Sequence, residues 1–276
     1  MDANRVVGVS LRGGLGNRLF VAAAAFGQAA ATGRQPAIFH AEPSAHSGTT
    51  YLDSVFAAFP RRPLPSPNDV DVRWERLNRC LCYDPVVPTD DRPIFLRGYY
   101  QNERYLAGQR DAFLRVLRWP ALEAHEVPPE GTLFLHVRRG DYLGTPMHCV
   151  DLTLYYRRAL ALARQTFGDR LRRVLVFSDD PGWCRAHLSD LGVGNREVDV
   201  VDSSDEVRAL VRMASCDLGG VCVNSSFSWW GAYLGYAPGK LVAFPDVWFN
   251  HPPDSAHPGD FADDVAFSGS VRVRVK

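Results

Sequence analysis

Two adjacent arginines, a glycine and an aspartate end the stretch His136-Val137-Arg138-Arg139-Gly140-Asp141-Tyr142. The residues ahead of them, Thr132–Val137, are apolar enough for one buried strand. In parallel α/β sheets, ligands collect at loops leaving the carboxyl ends of strands. Paired guanidiniums there suit a phosphate, because each stays charged and its fork matches two oxygens at once. Asp141 reads as the anion that holds one guanidinium in position. Taken alone, the string is equally compatible with a surface ion pair at a strand end.

Similar positions carry other chemistry. Ser178-Asp179-Asp180 follows a second apolar run, and its carboxylates suit a ribose hydroxyl or the guanine N1–H/N2 edge; a capped turn is the plainer reading. Asn224-Ser225-Ser226-Phe227 offers an amide, hydroxyls and backbone N–H groups just before a short helix, which is a phosphate cradle. Gly13-Gly14-Leu15-Gly16-Asn17 separates a strand from a long helix, where glycine lets a ligand approach the backbone, unless the turn serves packing alone. No G-K-[ST] follows it and Gly-x-Gly-x-x-Gly is not matched, so the usual nucleotide-loop fingerprints are excluded. Gly98-Tyr99-Tyr100-Gln101 supplies aromatic faces and an amide suited to a sugar ring, or ordinary packing for the tyrosines. Asp69-Val70-Asp71 has the spacing of a divalent-cation clamp but lies in the proline-rich loop Pro60–Asp71, and it is not expected to bind metal. Trp229 and Trp230 read as core anchors.

These loops need a sheet to present them. Strands are expected at Val6–Leu11, Pro36–His40, Pro93–Arg97, Thr132–Val137, Arg173–Phe177, Glu197–Val201, Leu218–Val223 and Lys240–Phe244. The alternation Val271-Arg272-Val273-Arg274-Val275 is strand-like and suits an edge. Helices are expected at Asn17–Ala31, Tyr51–Phe59, from an Asn102 cap to Trp119, Leu152–Phe167 with Asp151 as cap, Asp205–Cys216, and Phe227–Tyr236. Ser203 to Glu206 has a capping-box pattern. Ala121–Gly131, rich in Glu and Pro, reads as a linker, which gives an amino-terminal domain 1–125 and a carboxy-terminal domain 126–276. The strand–helix alternation of the second half implies a parallel, Rossmann-like sheet.

The 276 residues, 46% hydrophobic, suffice for one large domain or two small ones with real cores. A formal net charge of +0 leaves no electrostatic footprint for nucleic acid. Cys80, Cys82, Cys149, Cys184, Cys216 and Cys222 include no C-x-x-C pair and read as buried thiols of a reducing compartment. The opening residues are not a signal peptide, and the longest apolar run, Leu19–Phe26, is too short to span a bilayer. A soluble cytoplasmic protein is expected, peripheral to a membrane if what it acts on is lipid-linked; the oligomeric state is not legible.

The four segments at Gly13–Asn17, Gly98–Gln101, His136–Tyr142 and Asn224–Ala232 together resemble glycosyltransferase family 11, the α1,2-fucosyltransferases, with relatives among the α1,6- and protein O-fucosyltransferases. The resemblance runs from about Val6 to about Phe249. It implies a GT-B-like α/β fold of two Rossmann-like domains with a substrate cleft between them. It further implies an inverting, metal-independent transfer of L-fucose from GDP-fucose to the 2-hydroxyl of a β-galactoside glycan, with no cofactor. Carried over residue by residue, Arg138 contacts the β-phosphate, His136 and Asp141 shape its surroundings, and Asp179 reads the nucleoside. Ser225, Ser226 and Phe227 line the diphosphate and fucose pocket, with Gly14, Gly16, Arg139, Ser178 and Asn224 in the donor site. Asn17 faces sugar and acceptor, and Arg18, Tyr99, Tyr100 and Gln101 form the acceptor side. The general base is not evident, Asp141 being a weak candidate. Where the family reads Gln-Met-Phe, this chain has Arg18-Leu19-Phe20, so Arg18 either alters acceptor contacts or is exposed. Transfer with an α1,6 or α1,3 linkage and a non-catalytic nucleotide- or glycan-binding homologue are the alternatives.

Overall fold

The computed structural model describes residues 5–75, 81–193, 197–202, 204–250 and 265–276. The chain divides into two compact units, Met1–Trp119 and Pro120–Lys276. The division precedes the expected 125/126 boundary because the Glu-rich connection packs on the second unit, where the Glu126 carboxylate pairs with Arg208 and its carbonyl accepts from Arg212 Nε at 3.1 Å.

The first unit holds β1 (Val6–Leu11), α1 (Leu15–Ala31), β2 (Gln35–Ala41), β3 (Asp71–Trp74), β4 (Ile94–Arg97) and α2 (Arg110–Val116). Its sheet is wholly parallel in the order β2-β1-β4-β3. β1 is apolar along most of its length because α/β sheets are covered on both faces. From β1 the chain crosses to β2 on one side, whereas β4 pairs on the other. The Gly13-Gly14 turn and the Gly98–Gln101 turn therefore leave the carboxyl ends of neighbouring strands.

Two expected helices of this unit are corrected. Tyr51–Phe59 is a run of turns, opened by Tyr51 at φ 61° and closed by Phe56 N–H donating back to Tyr51 O at 3.0 Å. Asn102 caps only a 3-10 turn, Glu103–Leu106, by accepting from Arg104 N–H at 3.0 Å. Gly108 at φ 70° then breaks the path before α2 begins, a left-handed conformation that glycine adopts without a Cβ penalty. The Asp69-Val70-Asp71 pair opens β3, where Asp71 binds Arg73 at 2.7 Å. Among the described residues, no group of three or more His, Cys, Asp or Glu is arranged to hold a metal ion.

The second unit holds β5 (Thr132–Val137), α3 (Gly140–Leu143), α4 (Thr153–Phe167), β6 (Arg173–Ser178), α5 (Pro181–Ala186), α6 (Leu188–Leu191), β7 (Glu197–Val201), α7 (Glu206–Ser215), β8 (Gly219–Val221), α8 (Ser226–Gly235), β9 (Leu241–Pro245) and β10 (Val271–Val273). The six strands are parallel in the order β10-β9-β8-β5-β6-β7. Renumbered within the unit, this is the 3-2-1-4-5-6 order of doubly wound nucleotide-binding sheets. Of the Val271–Val275 alternation, Val271–Val273 forms the edge strand beside β9.

Burial of Leu133, Leu135, Val174 and Val176 against α4 forms the larger core, each side chain contributing about 2 kcal/mol. Tyr155, fully buried, donates to Ala243 O at 2.8 Å and also reaches Cys222 O, tying α4 to β8 and β9. Trp229 and Trp230 are core anchors, with Trp229 Nε1 donating to Val265 O at 2.6 Å. α7 is capped by Asp205, whose carboxylate accepts from Val207 and Arg208 N–H, both at 3.0 Å; of the expected capping box, Ser203 lies outside the described residues. Cys184, Cys216 and Cys222 are buried thiols, whereas Cys149 is exposed and Cys82 half-buried, contrary to the uniform burial expected; Cys80 lies outside the described residues. No helix among the described residues is long and apolar enough to cross a membrane.

Candidate functional site

In a doubly wound sheet the crevice for ligands opens where strand order reverses. In the carboxy-terminal unit that point lies between β5 and β8, which pair through Phe134↔Gly220 and Leu135↔Val221. The loop after β5 carries Arg138 and Arg139, and the loop after β8 carries Asn224 and Ser225. Tyr142 Oη donates to Asn224 O at 3.1 Å, and the His136 ring lies 5.6 Å from the Phe227 ring. The two loops are therefore physically joined.

The guanidiniums are held by carboxylates. Arg138 Nη2 lies 2.7 Å from Asp141 Oδ1, and its Nε lies 3.1 Å from Asp179 Oδ2. Asp179 Oδ1 accepts from the Arg139 backbone N–H at 2.9 Å. One carboxylate at the exit of β6 thus fixes both members of the arginine pair. Gly140 makes room for it, since a Cβ there would stand 2.5 Å from Asp179 Oδ2. Arg139 is placed differently, with Nε 3.3 Å from Asp180 Oδ2 and its guanidinium 3.8 Å over the Trp183 ring. Trp183 in turn stacks on His187 at 4.3 Å. Asp180 caps α5, accepting from Trp183 N–H at 3.0 Å, while Ser178 Oγ accepts from Asp180 N–H at 3.0 Å. Ser178 and Asp180 build the turn, and Asp179 points into the arginine loop.

α8 starts at the same edge. Ser225 caps it, Oγ accepting from Phe227 N–H at 3.3 Å, and Ser226 opens its first turn. Backbone N–H groups at such an end attract an anion. Asn224 is buried and donates to His148 O at 3.1 Å and Trp248 O at 2.9 Å, so its amide fastens loops. Tyr142 stacks on His148 at 4.8 Å, and burial pushes its phenol above the ordinary range. His136 is only 4% exposed, and its Nδ1 has no hydrogen-bond partner among the described residues. Burial, helped by the Arg138 charge, pulls its imidazole down to about 3, so it stays neutral.

The amino-terminal unit gathers a separate set of residues. Gly13 adopts φ 74° and Gly14 is the N-cap of α1, with Gly16 buried in its first turn. Gln101 Nε2 donates to Asn17 Oδ1 at 2.7 Å, linking the glycine loop to the turn after β4. Tyr99 is 43% exposed there. Two acceptor-side candidates are buried, which goes against the exposure expected for Arg18 and fits the packing alternative for Tyr100. Arg18 is fully buried; Nε donates to Gly13 O at 2.8 Å, Nη1 to Thr50 O at 3.4 Å, and the guanidinium lies 5.5 Å over the Tyr51 ring. Its cation holds the glycine loop to the 50s loop from inside. Tyr100 is also buried, with Oη donating to Arg73 O at 2.9 Å, so only Tyr99 of the pair presents its ring.

Sequence reasoning missed Trp183, His148 and Glu75. The first two have no motif around them; an aromatic one turn into a helix after a carboxylate-bearing loop was the available signal for Trp183. Glu75 follows a strand that was itself not expected.

Over residues 87–252 the chain matches the profile of Glycosyl transferase family 11, more than half of its length. It is 29% identical over 164 residues to an alpha-1,2-colitosyltransferase of Escherichia coli, covering 55% of each chain. It is 33% identical over 125 residues to the O-antigen biosynthesis glycosyltransferase WbnK of Escherichia coli, covering 43% of this chain and 39% of that one. The chain thus spans about half or less of the length of these curated relatives. The crystal structure of fucosyltransferase NodZ from Bradyrhizobium superposes with a TM-score of 0.52 at 14% identity, covering 82% of this chain and 92% of that one. That likeness fixes the fold as GT-B-like α/β. With its two parallel sheets, the arginine loop and the serine-capped helix on one edge of the second, the chain belongs to glycosyltransferase family 11.

Proposed function

We propose that the chain is an inverting fucosyltransferase that moves L-fucose from GDP-fucose to the 2-hydroxyl of a β-galactoside without a metal ion. The observation that carries this reading is the junction of the arginine loop with the amino end of α8 at the switch point between β5 and β8. The donor's diphosphate would lie there, and the amino-terminal unit would take the acceptor.

Transfer forms a bond from the acceptor oxygen to the anomeric carbon, breaks the bond from that carbon to the β-phosphate oxygen, and releases the acceptor hydroxyl's proton to solvent. The negative charge grows on the departing GDP. A guanidinium carries five N–H donors. Arg138 uses Nε and Nη2 on Asp141 and Asp179, which leaves donors on a group already fixed in direction. Preorganised donors aimed at a developing charge lower the barrier most when they need not reorganise. The α8 amino end adds partial positive charge from backbone N–H groups. Together they would do the work a divalent cation does elsewhere. Neutral His136, buried against Phe227, offers a hydrogen bond without adding charge.

A second reading changes only the sugar: similarity to an alpha-1,2-colitosyltransferase favours a nucleotide-linked colitose as donor. The test is transfer to lactose from GDP-fucose, and separately from the colitose donor, in excess EDTA, for the native chain and Arg138→Ala. Transfer that persists in EDTA and falls at least about 100-fold in Arg138→Ala supports the reading. Loss of transfer in EDTA, or full activity of the variant, overturns it. The faster donor identifies the sugar, and the product's linkage separates α1,2 from α1,6 or α1,3.

A further inference from the structure

Glu75 follows β3 at the carboxyl edge of the amino-terminal sheet, and its N–H donates to Arg97 O at 2.8 Å. Its carboxylate faces the turn that leaves β4. Oε2 accepts from Tyr99 N–H at 2.6 Å and Oε1 from Tyr100 N–H at 3.0 Å. Gly98 lets the side chain lie close, since a Cβ there would stand 2.3 Å from Glu75 Cβ. Tyr100 sits at φ 51°, a left-handed conformation that costs a non-glycine residue free energy and persists only where its surroundings impose it. The turn so imposed carries the exposed Tyr99 ring and the Gln101 amide that bonds Asn17.

We propose that Glu75 is a positioning residue for the acceptor sugar, its carboxylate holding the Tyr99–Gln101 turn in the shape that offers an aromatic face and an amide to a hydroxylated ring. This inference rests on the reading of the amino-terminal unit as the acceptor side. Near it, Arg97 stacks on Trp74 at 4.5 Å, Arg73 is paired with Asp71, and Tyr100 and Tyr105 feel its charge as well as that of Asp84. Burial, opposed by the N–H groups of Tyr99 and Tyr100, raises the Glu75 carboxyl to about 7. Ionised, it makes two charge-assisted hydrogen bonds; protonated, it keeps one strong acceptor oxygen. The acceptor KM therefore falls as pH rises through about 7.

The experiment has three arms on the full chain. Amide hydrogen exchange at Tyr99 and Tyr100 compares native protein with Glu75→Gln, and protection is expected to drop about tenfold in the variant. Steady-state kinetics with lactose at saturating GDP-fucose are expected to show acceptor KM raised about tenfold and kcat within about twofold in Glu75→Gln. The GDP-fucose Kd should be unchanged. Between roughly pH 6 and 8, the native acceptor KM falls and the variant's stays flat. Unchanged exchange, an unchanged KM, or equal losses in kcat and GDP-fucose affinity would overturn the inference. If Glu75→Gln does not fold, the native chain alone decides, because a flat acceptor KM over that pH range overturns it. Failure of the native chain to bind GDP-fucose would instead sink the functional reading, while the exchange arm still reports whether Glu75 holds the turn.

Discussion

Removing the Asp179 carboxylate separates its two tasks. Asp179 and Arg138 side chains are 23% and 19% exposed, so their pair is partly shielded from water. At 3.1 Å the gross Coulomb term is about 5 kcal/mol for an effective dielectric of 20, most of it offset by desolvation. Arg138 keeps Asp141 when Asp179 is lost, which leaves a net loss of about 1 kcal/mol for that pair. The Arg139 N–H loses a charged acceptor, worth about 1.5–3 kcal/mol. Asp179→Ala should therefore cost about 3 kcal/mol. Asp179→Asn keeps an amide oxygen for the Arg139 N–H and loses the charge, costing about 1 kcal/mol. Urea unfolding gives the totals, and hydrogen exchange at the Arg139 amide gives the local term: protection retained in Asn and lost in Ala. The reasoning fails if both variants cost the same, or if Ala costs less than about 0.5 kcal/mol.

His136 stays neutral down to about pH 3 while an unfolded histidine protonates near 6.5, so the unfolded chain binds the extra proton. Stability from this residue is complete above pH 6.5 and is lost as pH falls toward 3; His136→Phe should flatten that slope, and the His136 ring resonances should not shift between roughly pH 5 and 8. Gly140→Ala forces a Cβ against Asp179 Oδ2 and should lower stability by about 1–2 kcal/mol in urea unfolding. Gly182→Ala, within α5 and with Asp180 Oδ1 4.0 Å from the added Cβ, should raise it by about 0.5–1 kcal/mol.

Strands whose both faces are covered announce themselves. β1 and β5 have the expected bounds because parallel strands between helices read as β-rich apolar runs, whereas the edge strand β7 is legible from its alternation of charged and apolar residues. β3 does not: Asp71, Val72, Arg73 and Trp74 form an edge strand with half its residues exposed, and nothing in their order distinguishes them from loop. α5 and α6 are too short to show a period, and only α5 has a side-chain cap, Asp180. The same division governs the candidate site. Arg138 and Asp141 are three residues apart, and their pairing is legible in the motif. The partner that orders both arginines, Asp179, is 40 residues from Arg139, and only the β5–β6 pairing brings it there. Arg18 shows the limit most plainly, because a buried guanidinium is recognisable only once Gly13 O, Thr50 O and the Tyr51 ring surround it.

The bond from Tyr142 to Asn224 spans 82 positions of sequence. Closing so long a segment costs about 2 kcal/mol more in chain entropy than closing a tight turn. The junction of arginine loop and α8 is thus costlier to close than the local pairings of β6 with β5 and of β6 with β7. A dianionic ligand spanning both loops would bind only the closed arrangement and so act as a clasp, shifting the equilibrium by its own mass action. A fragment ending at Val201 would carry both guanidiniums and no helix to face them. In this unit, whatever bound both loops at once would also hold the two halves of the sheet together.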